Sequence, residues 1–301
     1  MERISLALWA YDAGDQPADL DVLAARIDRR MAEAAAAGAS ILVLPEWNVE
    51  QTLLWGGTSL KPNDEPRFMA ETGAGLLERV RDLPARHGVA LVAGTWSGPA
   101  AAGAGFVNRA YMVFPDGTLL THDKLCLVPS EKDPNDWALA TGSTVRVATW
   151  RGLRIAMLIC LDVELPALST ILSGLDIDLL LVPSNTAKRS GYHRVFGCAK
   201  ARAIELGTLV GVVGCVGTVL LPEPRTNFSG AAVYGPCEAM FGDTGIFAFL
   251  EPRDAGGDVL IARDLPVGEI RRRRREGFEV WPGPWPAGHV KVEEVTIGDR
   301  A

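Results

Sequence analysis

Cysteine and histidine are scarce in this chain, and their spacing excludes several chemistries. The five cysteines, Cys126, Cys160, Cys198, Cys215 and Cys237, form no CxxC pair. A zinc knuckle and a thioredoxin-type centre are therefore not expected, and an odd, scattered set is no disulfide framework. Such usage suits a reducing cytoplasm. The four histidines include no HExxH, so no metal site is expected. Long apolar runs are lacking too. The run that most invites a membrane reading, 206–222, has 17 residues without charge, four of them Gly, and ends in Pro222. That is short for a membrane span and reads as a buried strand followed by a loop. The N-terminus is apolar over 4–10 but has no basic leader region, and Asp12 follows closely. It reads as a first strand and not as a secretion signal. Positive charge is not in excess either: 30 Lys and Arg face 37 Asp and Glu, for a net −7. A mildly acidic chain lacks the electrostatic footprint of a general nucleic-acid binder.

What is present is ordinary globular material, 48% hydrophobic and 22% charged over 301 residues. That length buries a sizeable core without a covalent staple. Strand-like runs at 4–9, 41–44, 89–95, 154–159, 179–182 and 208–213 alternate with helix-like stretches. Leu20, Leu23, Ile27, Met31 and Ala34 recur at helical spacing, and residues 71–87 and 191–206 read as further helices. Val107–Phe114 and Thr118–His122 flank Pro115-Asp116-Gly117, a hairpin signal. Later strands are expected at 228–234, 246–250 and 259–262. No repeat or linker divides the chain, so one domain with mixed sheets covered by helices is expected. Gly94 to Gly105 lacks a phosphate-loop ending and reads as a flexible loop. Arg271 to Arg275, flanked by Glu269 and Glu276, reads as a solvated helix face or a subunit contact.

Three apolar strands each run into a reactive residue. Ile41 to Pro45 leads to Glu46, Thr118 to Asp123 leads to Lys124, and Ile155 to Ile159 leads to Cys160. Strand ends and their loops are where α/β proteins build sites. A thiol nucleophile, a carboxylate base and an ammonium that stabilises developing negative charge suffice for acyl transfer. Singly, each has an ordinary structural role: a buried thiol behaves as a small hydrophobe, and Glu46 or Lys124 can be a surface charge. A papain-like pairing of Cys160 with His122 or His193 has no local sequence support. Trp47, beside Glu46, is a pocket-wall candidate as well as a packing one.

The flanks of these residues carry a resemblance. Leu44-Pro45-Glu46-Trp47, then Asp123-Lys124-Leu125-Cys126-Leu127-Val128-Pro129-Ser130-Glu131, then Leu158-Ile159-Cys160-Leu161-Asp162, resemble the nitrilase superfamily of carbon–nitrogen hydrolases. Pro183-Ser184-Asn185-Thr186-Ala187, Ala201-Arg202-Ala203-Ile204-Glu205 and Asn227-Phe228-Ser229-Gly230 are similar to its downstream segments. The likeness runs to about residue 265. It implies an α/β fold, a four-layer α-β-β-α sandwich, with a hydrolase domain over 1–265 and a C-terminal helix and extended tail over 266–301. It also implies roles: Cys160 as nucleophile, Glu46 as general base, Lys124 and the Leu161 N–H as oxyanion donors, and Glu131 as the glutamate that orients the site. Trp47, Leu161, Asp162 and Asn185 are the candidate substrate-binding residues, with Asp162 also bracing the loop. The loop Leu161-Asp162-Val163-Glu164-Leu165-Pro166-Ala167 departs from the family's common continuation, an aromatic residue and a second acid after the proline.

The reaction this implies is hydrolysis of a small amide or carbamoyl compound through a cysteine thioester, with no metal or organic cofactor. True nitrilases typically follow the nucleophile with Trp-Glu, whereas Leu161-Asp162 looks like the amidase and carbamoylase branches. Nitrile hydrolysis and a non-catalytic scaffold of the same fold are the alternatives. The resemblance further implies a homodimer or larger assembly. The stripe Leu165, Leu168, Ile171 and Leu172 and the segment 191–206 are the expected contacts, unless the stripe packs on its own sheet. No nucleic-acid or membrane partner is expected.

Overall fold

Period-two and period-3.6 patterns divide the apolar residues of this chain between two kinds of surface. The computed structural model describes residues 1–57, 60–101, 105–278 and 288–294. In chain order it contains β1 (Ile4–Ala10), α1 (Leu20–Ala36), β2 (Ile41–Val43), α2 (Glu65–Val80), α3 (Leu83–His87), β3 (Ala90–Pro99), β4 (Phe106–Val113) and β5 (Leu119–Asp123). Then come a short α4 (Pro129–Lys132), β6 (Val147–Trp150), β7 (Leu153–Met157), α5 (Pro166–Ser173), β8 (Leu179–Ser184), α6 (Arg189–Glu205) and β9 (Leu209–Gly214). The chain continues through β10 (Gly217–Val219), β11 (Arg225–Asn227), β12 (Ser229–Tyr234), β13 (Ile246–Arg253), β14 (Asp258–Leu265) and α7 (Val267–Glu276).

The strands make two six-stranded mixed sheets, ordered β14-β1-β2-β3-β4-β5 and β13-β12-β9-β8-β7-β6, with a separate β10-β11 ribbon. Side chains alternate across a strand. In the first sheet Leu6, Leu8, Ile41, Val43 and Val92 enter the core shared with the second sheet. Their neighbours Ala7, Trp9, Leu42, Leu44 and Leu91 pack instead with Leu23, Ile27 and Met31 of α1 and Met69 and Leu76 of α2. Gly211 of β9 shows how close the sheets come. A Cβ there would lie 3.4–3.6 Å from Leu181, Leu8 and Leu6. Tyr192, Val195 and Ala199 of α6 and Leu168 and Leu172 of α5 cover the other face of the second sheet. The layers are therefore α-β-β-α in a single domain, the architecture the sequence implied.

Local chemistry explains the element ends. Asp19 caps α1 by accepting from the Val22 N–H at 2.8 Å. In the β4–β5 turn, Asp116 accepts from Thr118 N at 2.9 Å and Gly117 takes a positive φ of 83°.

Three expectations need correcting. The helix expected over 71–87 is two helices, because Pro84 lacks an N–H and its ring clashes with the carbonyl four residues back, at Val80, where α2 ends. Gly94 does not open a flexible loop. It lies inside β3, at φ 92°, where a Cβ would come within 2.2 Å of Asn48 Oδ1 and 2.6 Å of Pro45 O. That glycine serves close approach. The arginine run is a solvated face only in part. Arg271 and Arg274, one turn apart on α7, both grip Asp178 (Arg271 Nε to Oδ1 3.0 Å, Arg274 Nη2 to Oδ1 2.9 Å), while Arg272 and Arg273 pair with Glu269. The expected arm from Trp281 onward lies outside the described residues at 281–287 and 295–301, and residues 288–294 are exposed.

Candidate active site

Each reactive side chain sits at the end of a strand or just past it. Glu46 follows β2, Lys124 follows β5, and Cys160 follows β7 by three residues; Glu131 is on α4. Glu46 and Lys124 thus belong to the first sheet and Cys160 to the second. The join is made by backbone: Glu46 N–H donates to Ser184 O at the end of β8, at 3.3 Å. On its other side, the Cys215 thiol donates to Glu46 O at 3.4 Å.

The ionic centre is deeply buried. Lys124 is 1% exposed, as are Glu46 and Glu131, and Cys160 is 6% exposed. The Lys124 ammonium donates to Glu46 Oε1 at 2.8 Å and reaches both Glu131 oxygens, at 2.9 and 2.8 Å. Asn108 Nδ2 donates to the same Glu46 Oε1, at 2.8 Å, and to Glu131 Oε1, at 3.0 Å. Glu131 also receives the Trp47 indole N–H at 3.3 Å and the Val128 N–H at 3.0 Å. Cys160 has φ 47° and Trp47 φ 55°, both left-handed values that non-glycine residues seldom adopt. Such strain persists where the surroundings over-determine it, commonly at functional sites. The Cys160 thiol donates to the Asn185 carbonyl at 3.5 Å.

Burial and charge set the protonation pattern. Burial pushes the Glu46 carboxyl up to about 7, opposed by Lys124 and reinforced by Glu131. Burial pushes the Cys160 thiol well up, Glu46 adds to this, and Lys124 opposes it. For Lys124 burial disfavours the charge, but Glu46 and Glu131 outweigh it and the ammonium is held upward of its ordinary value. The resting centre is therefore a neutral thiol beside an ammonium and two carboxyl groups, one of them poised to exchange a proton near neutral pH.

These residues floor a cavity of about 1030 Å³. The structure brings Glu46, Lys124, Glu131, Cys160, Trp47, Leu161 and Asn185 to its lining. It does not bring Asp162 there. That carboxylate is fully buried behind the floor and accepts the N–H groups of Leu125 (3.1 Å), Cys126 (2.8 Å) and Ile159 (3.2 Å). With its lone pairs so occupied it ties the Lys124 loop to the Cys160 loop and has no free edge for a substrate. Neither His122 nor His193 lines the cavity. His122 lies behind it, 3.6 Å from Asp162, and no papain-like pair is assembled. Among the described residues no group of three or more His, Cys, Asp and Glu could hold a metal ion.

Sequence reasoning missed Asn108, Arg225, Trp137 and Asn227. Asn108 left a signal, a lone amide within the apolar β4 run. The register makes it count: Lys124 N–H donates to Asn108 O at 2.8 Å, which lays Asn108 beside the ammonium. The other three come from a loop and from the β10-β11 ribbon, whose placement no local pattern announces.

The sequence profile of the carbon-nitrogen hydrolase family matches residues 8–250. The chain belongs to this family. It is 30% identical over 173 residues to the probable hydrolase YhcX of Bacillus subtilis, covering 56% of this chain and 32% of that one. It is 32% identical over 102 residues to an (R)-stereoselective amidase of Pseudomonas sp., covering 34% of this chain and 36% of that one. The matched part thus spans about a third of each relative's own length. Among solved structures, a mutant of the amidase from Nesterenkonia sp. in complex with acrylamide superposes with a TM-score of 0.68 at 23% identity. That match covers 92% of this chain and 96% of the other, and it shows the shared nitrilase-type fold.

Proposed function

We propose that this carbon–nitrogen hydrolase cleaves small amides, or carbamoyl compounds, through a thioester on Cys160. The observation that carries the reading is the Glu46–Lys124–Glu131 cluster closed over by burial and facing one cavity with the Cys160 thiol. Lys124 and Asn108 both donate to Oε1 of Glu46, which leaves Oε2 to take a proton. Sγ attacks the carbonyl carbon as the thiol proton passes to Glu46. The oxyanion is met by the Lys124 ammonium and by the N–H of Leu161, near the start of a helical turn where leading N–H groups lack an acceptor within the turn. Glu46 then gives its proton to the leaving nitrogen, the C–N bond breaks, and ammonia or an amine departs. Water, deprotonated by Glu46, attacks the thioester and releases the carboxylic acid and the thiol.

Amides rank above nitriles in this reading because Leu161 and Asp162 follow the nucleophile. The relative and the structural neighbour described as amidases support it. Matched amides and nitriles sharing one acyl chain test it: kcat/KM is expected to favour the amide, and a consistent preference for the nitrile would make the chain a nitrilase.

Assembly into a homodimer or larger oligomer belongs to the same reading. Leu168 and Leu172 pack within the chain, whereas Ile171 on α5 and Ile204 on α6 are 52% and 41% exposed. These two neighbouring helices offer the contact surface, and light scattering giving a mass near 32 kDa would remove the proposal. Free cysteines fit a cytoplasmic setting. No helix among the described residues is long and apolar enough to cross a membrane. The division into 1–265 and 266–301 is retained as part of this reading, with α7 docked on the core through Val267 and Ile270.

A further inference from the structure

The wall of the cavity contributed by the β10-β11 ribbon has charge and hydrogen-bonding capacity that the reaction does not use. Arg225 and Asn227 are two residues apart on β11, hence on one face of the strand, and both line the cavity. The Arg225 guanidinium is already taken. It pairs with Glu50 at 2.9 Å and with both oxygens of Glu65, at 2.9 and 2.7 Å, and lies over the Trp137 ring at 5.4 Å. Trp137 in turn donates to Glu65 at 2.7 Å and packs edge-on against Trp47, next to the catalytic base. One cation thus serves two buried carboxylates, and the cluster is left with negative charge.

More negative charge lines the same cavity. Asp133, Asp136 and Glu223 have no ion-pair partner among the described residues, and Asp136 is half-buried. Burial pushes the Asp136 carboxyl up; Arg225 opposes this, while Glu65 and Asp133 add to it. Among the lining cations apart from Lys124, Arg194 is paired with Glu164 and Arg225 is spent, so Lys188, exposed where α6 begins, is left unpaired. The ribbon wall lacks a positive charge that would balance it.

A second observation points to a ligand independently of charge. Asn227 is 2% exposed, and its Nδ2 has no hydrogen-bond partner among the described residues. An unsatisfied buried amide costs about 1–3 kcal/mol, so its retention beside a cavity calls for an acceptor from outside. Its position suits that purpose. The next residue, Phe228, donates through N–H to Thr186 O at 2.9 Å, and Asn185, before Thr186, receives the Cys160 thiol. Asn227 therefore lies one strand across from the backbone that touches the nucleophile.

We propose that this wall selects amides whose non-reacting end carries an ammonium or guanidinium group, with Asn227 donating to an acceptor on the same substrate. The proposal rests on the amidase reading above and narrows it to cationic substrates. Carboxylate-bearing amides meet the unpaired Asp133, Asp136 and Glu223 carboxylates along this wall and are disfavoured.

Three amides of matched length test this: 5-aminopentanamide, pentanamide and 4-carbamoylbutanoate. For the full-length enzyme kcat/KM is expected to fall in that order, by about ten-fold at each step, the size of one partly buried charge contact. Asp136→Asn should lower kcat/KM for the amine about ten-fold more than for the neutral amide, and added salt should narrow the gap. Binding of the same compounds to full-length Cys160→Ala, followed by calorimetry, gives the charge order without turnover. If none of the three is hydrolysed, the amidase reading falls while calorimetry still decides the charge preference. An equal or reversed order in binding, or an Asp136→Asn effect that is the same for all three, would overturn the proposal.

Discussion

At the scale of single residues, the proposed chemistry depends on one carboxyl group that burial has moved into the neutral range. Glu46 accepts a proton only when ionised, so kcat/KM should rise with pH through an acid limb near 7, the value to which burial raises it. Glu131 contributes to that rise by like charge. Glu131→Gln should therefore move the limb to lower pH while depressing kcat, and a full pH profile of both enzymes reads the two effects separately. Cys160→Ala should abolish turnover with an unchanged circular dichroism spectrum. Lys124→Ala should cost ~100- to 1,000-fold in kcat, the usual loss for one oxyanion donor. Iodoacetamide should alkylate Cys160 faster than the other four cysteines, and Glu46→Gln should remove that advantage, because burial leaves the thiol neutral until a base takes its proton. Glu46, Lys124 and Cys160 were readable in the sequence because each follows a strand-like run, and Glu131 through the family resemblance. Their protonation was not, because it depends on exposures of about one percent and on three side chains meeting from distant parts of the chain.

At the scale of elements, the loops at the strand ends are set by contacts their own sequence does not show. Asp162 was readable as a loop brace, but its exclusion from the cavity was not. It depends on three N–H groups, two of them from the loop after β5. Asp162→Ala strands these donors at about 1–3 kcal/mol each where water cannot reach them. The variant should melt several degrees lower and alkylate at Cys160 more slowly, and differential scanning calorimetry together with labelling rates checks both. Gly94 shows the opposite failure of local reading. Its neighbours suggested a loop, yet it lies within β3 at the bulge between Val92 and Thr95, which pair with β4, and Gly94→Ala should be among the most destabilising single changes, since the added atom meets Pro45 O and Asn48. The amphipathic α1 and the Asp116-Gly117 turn were legible because their causes lie within a few residues. The β10-β11 ribbon was not, because three-residue strands carry too little pattern, and with it went Arg225 and Asn227.

At the scale of the whole molecule, α7 fastens the C-terminal segment to the second sheet through Asp178. Burial acts against that carboxylate, but Arg271, the Arg154 N–H and Arg274 outweigh it and hold the carboxyl below its ordinary range. A lowered folded-state value contributes stability that is present above the unfolded carboxylate's pKa and is lost as pH falls through the folded one. Melting temperature should therefore drop as pH falls below the ordinary carboxylate value of about 4, and Arg274→Ala should melt lower at pH 7, with the gap to the parent narrowing as pH falls through that range. The layer order was legible through the family resemblance and the alternation of strands and helices; which strand closes which sheet was not. That closure has a consequence for the chain as it is made. β1 pairs with β2 on one side and with β14 on the other, Leu8 lying opposite Leu260. A ribosome adding ~5–20 residues per second needs roughly ten to fifty seconds to travel from the first partner to the last. Throughout that interval a strand that is apolar but for Ser5 presents one unpaired edge to its surroundings. Nascent chains released before residue 258 should accumulate as chaperone-bound or aggregated material, whereas those released after 265 should gain the edge partner they lack.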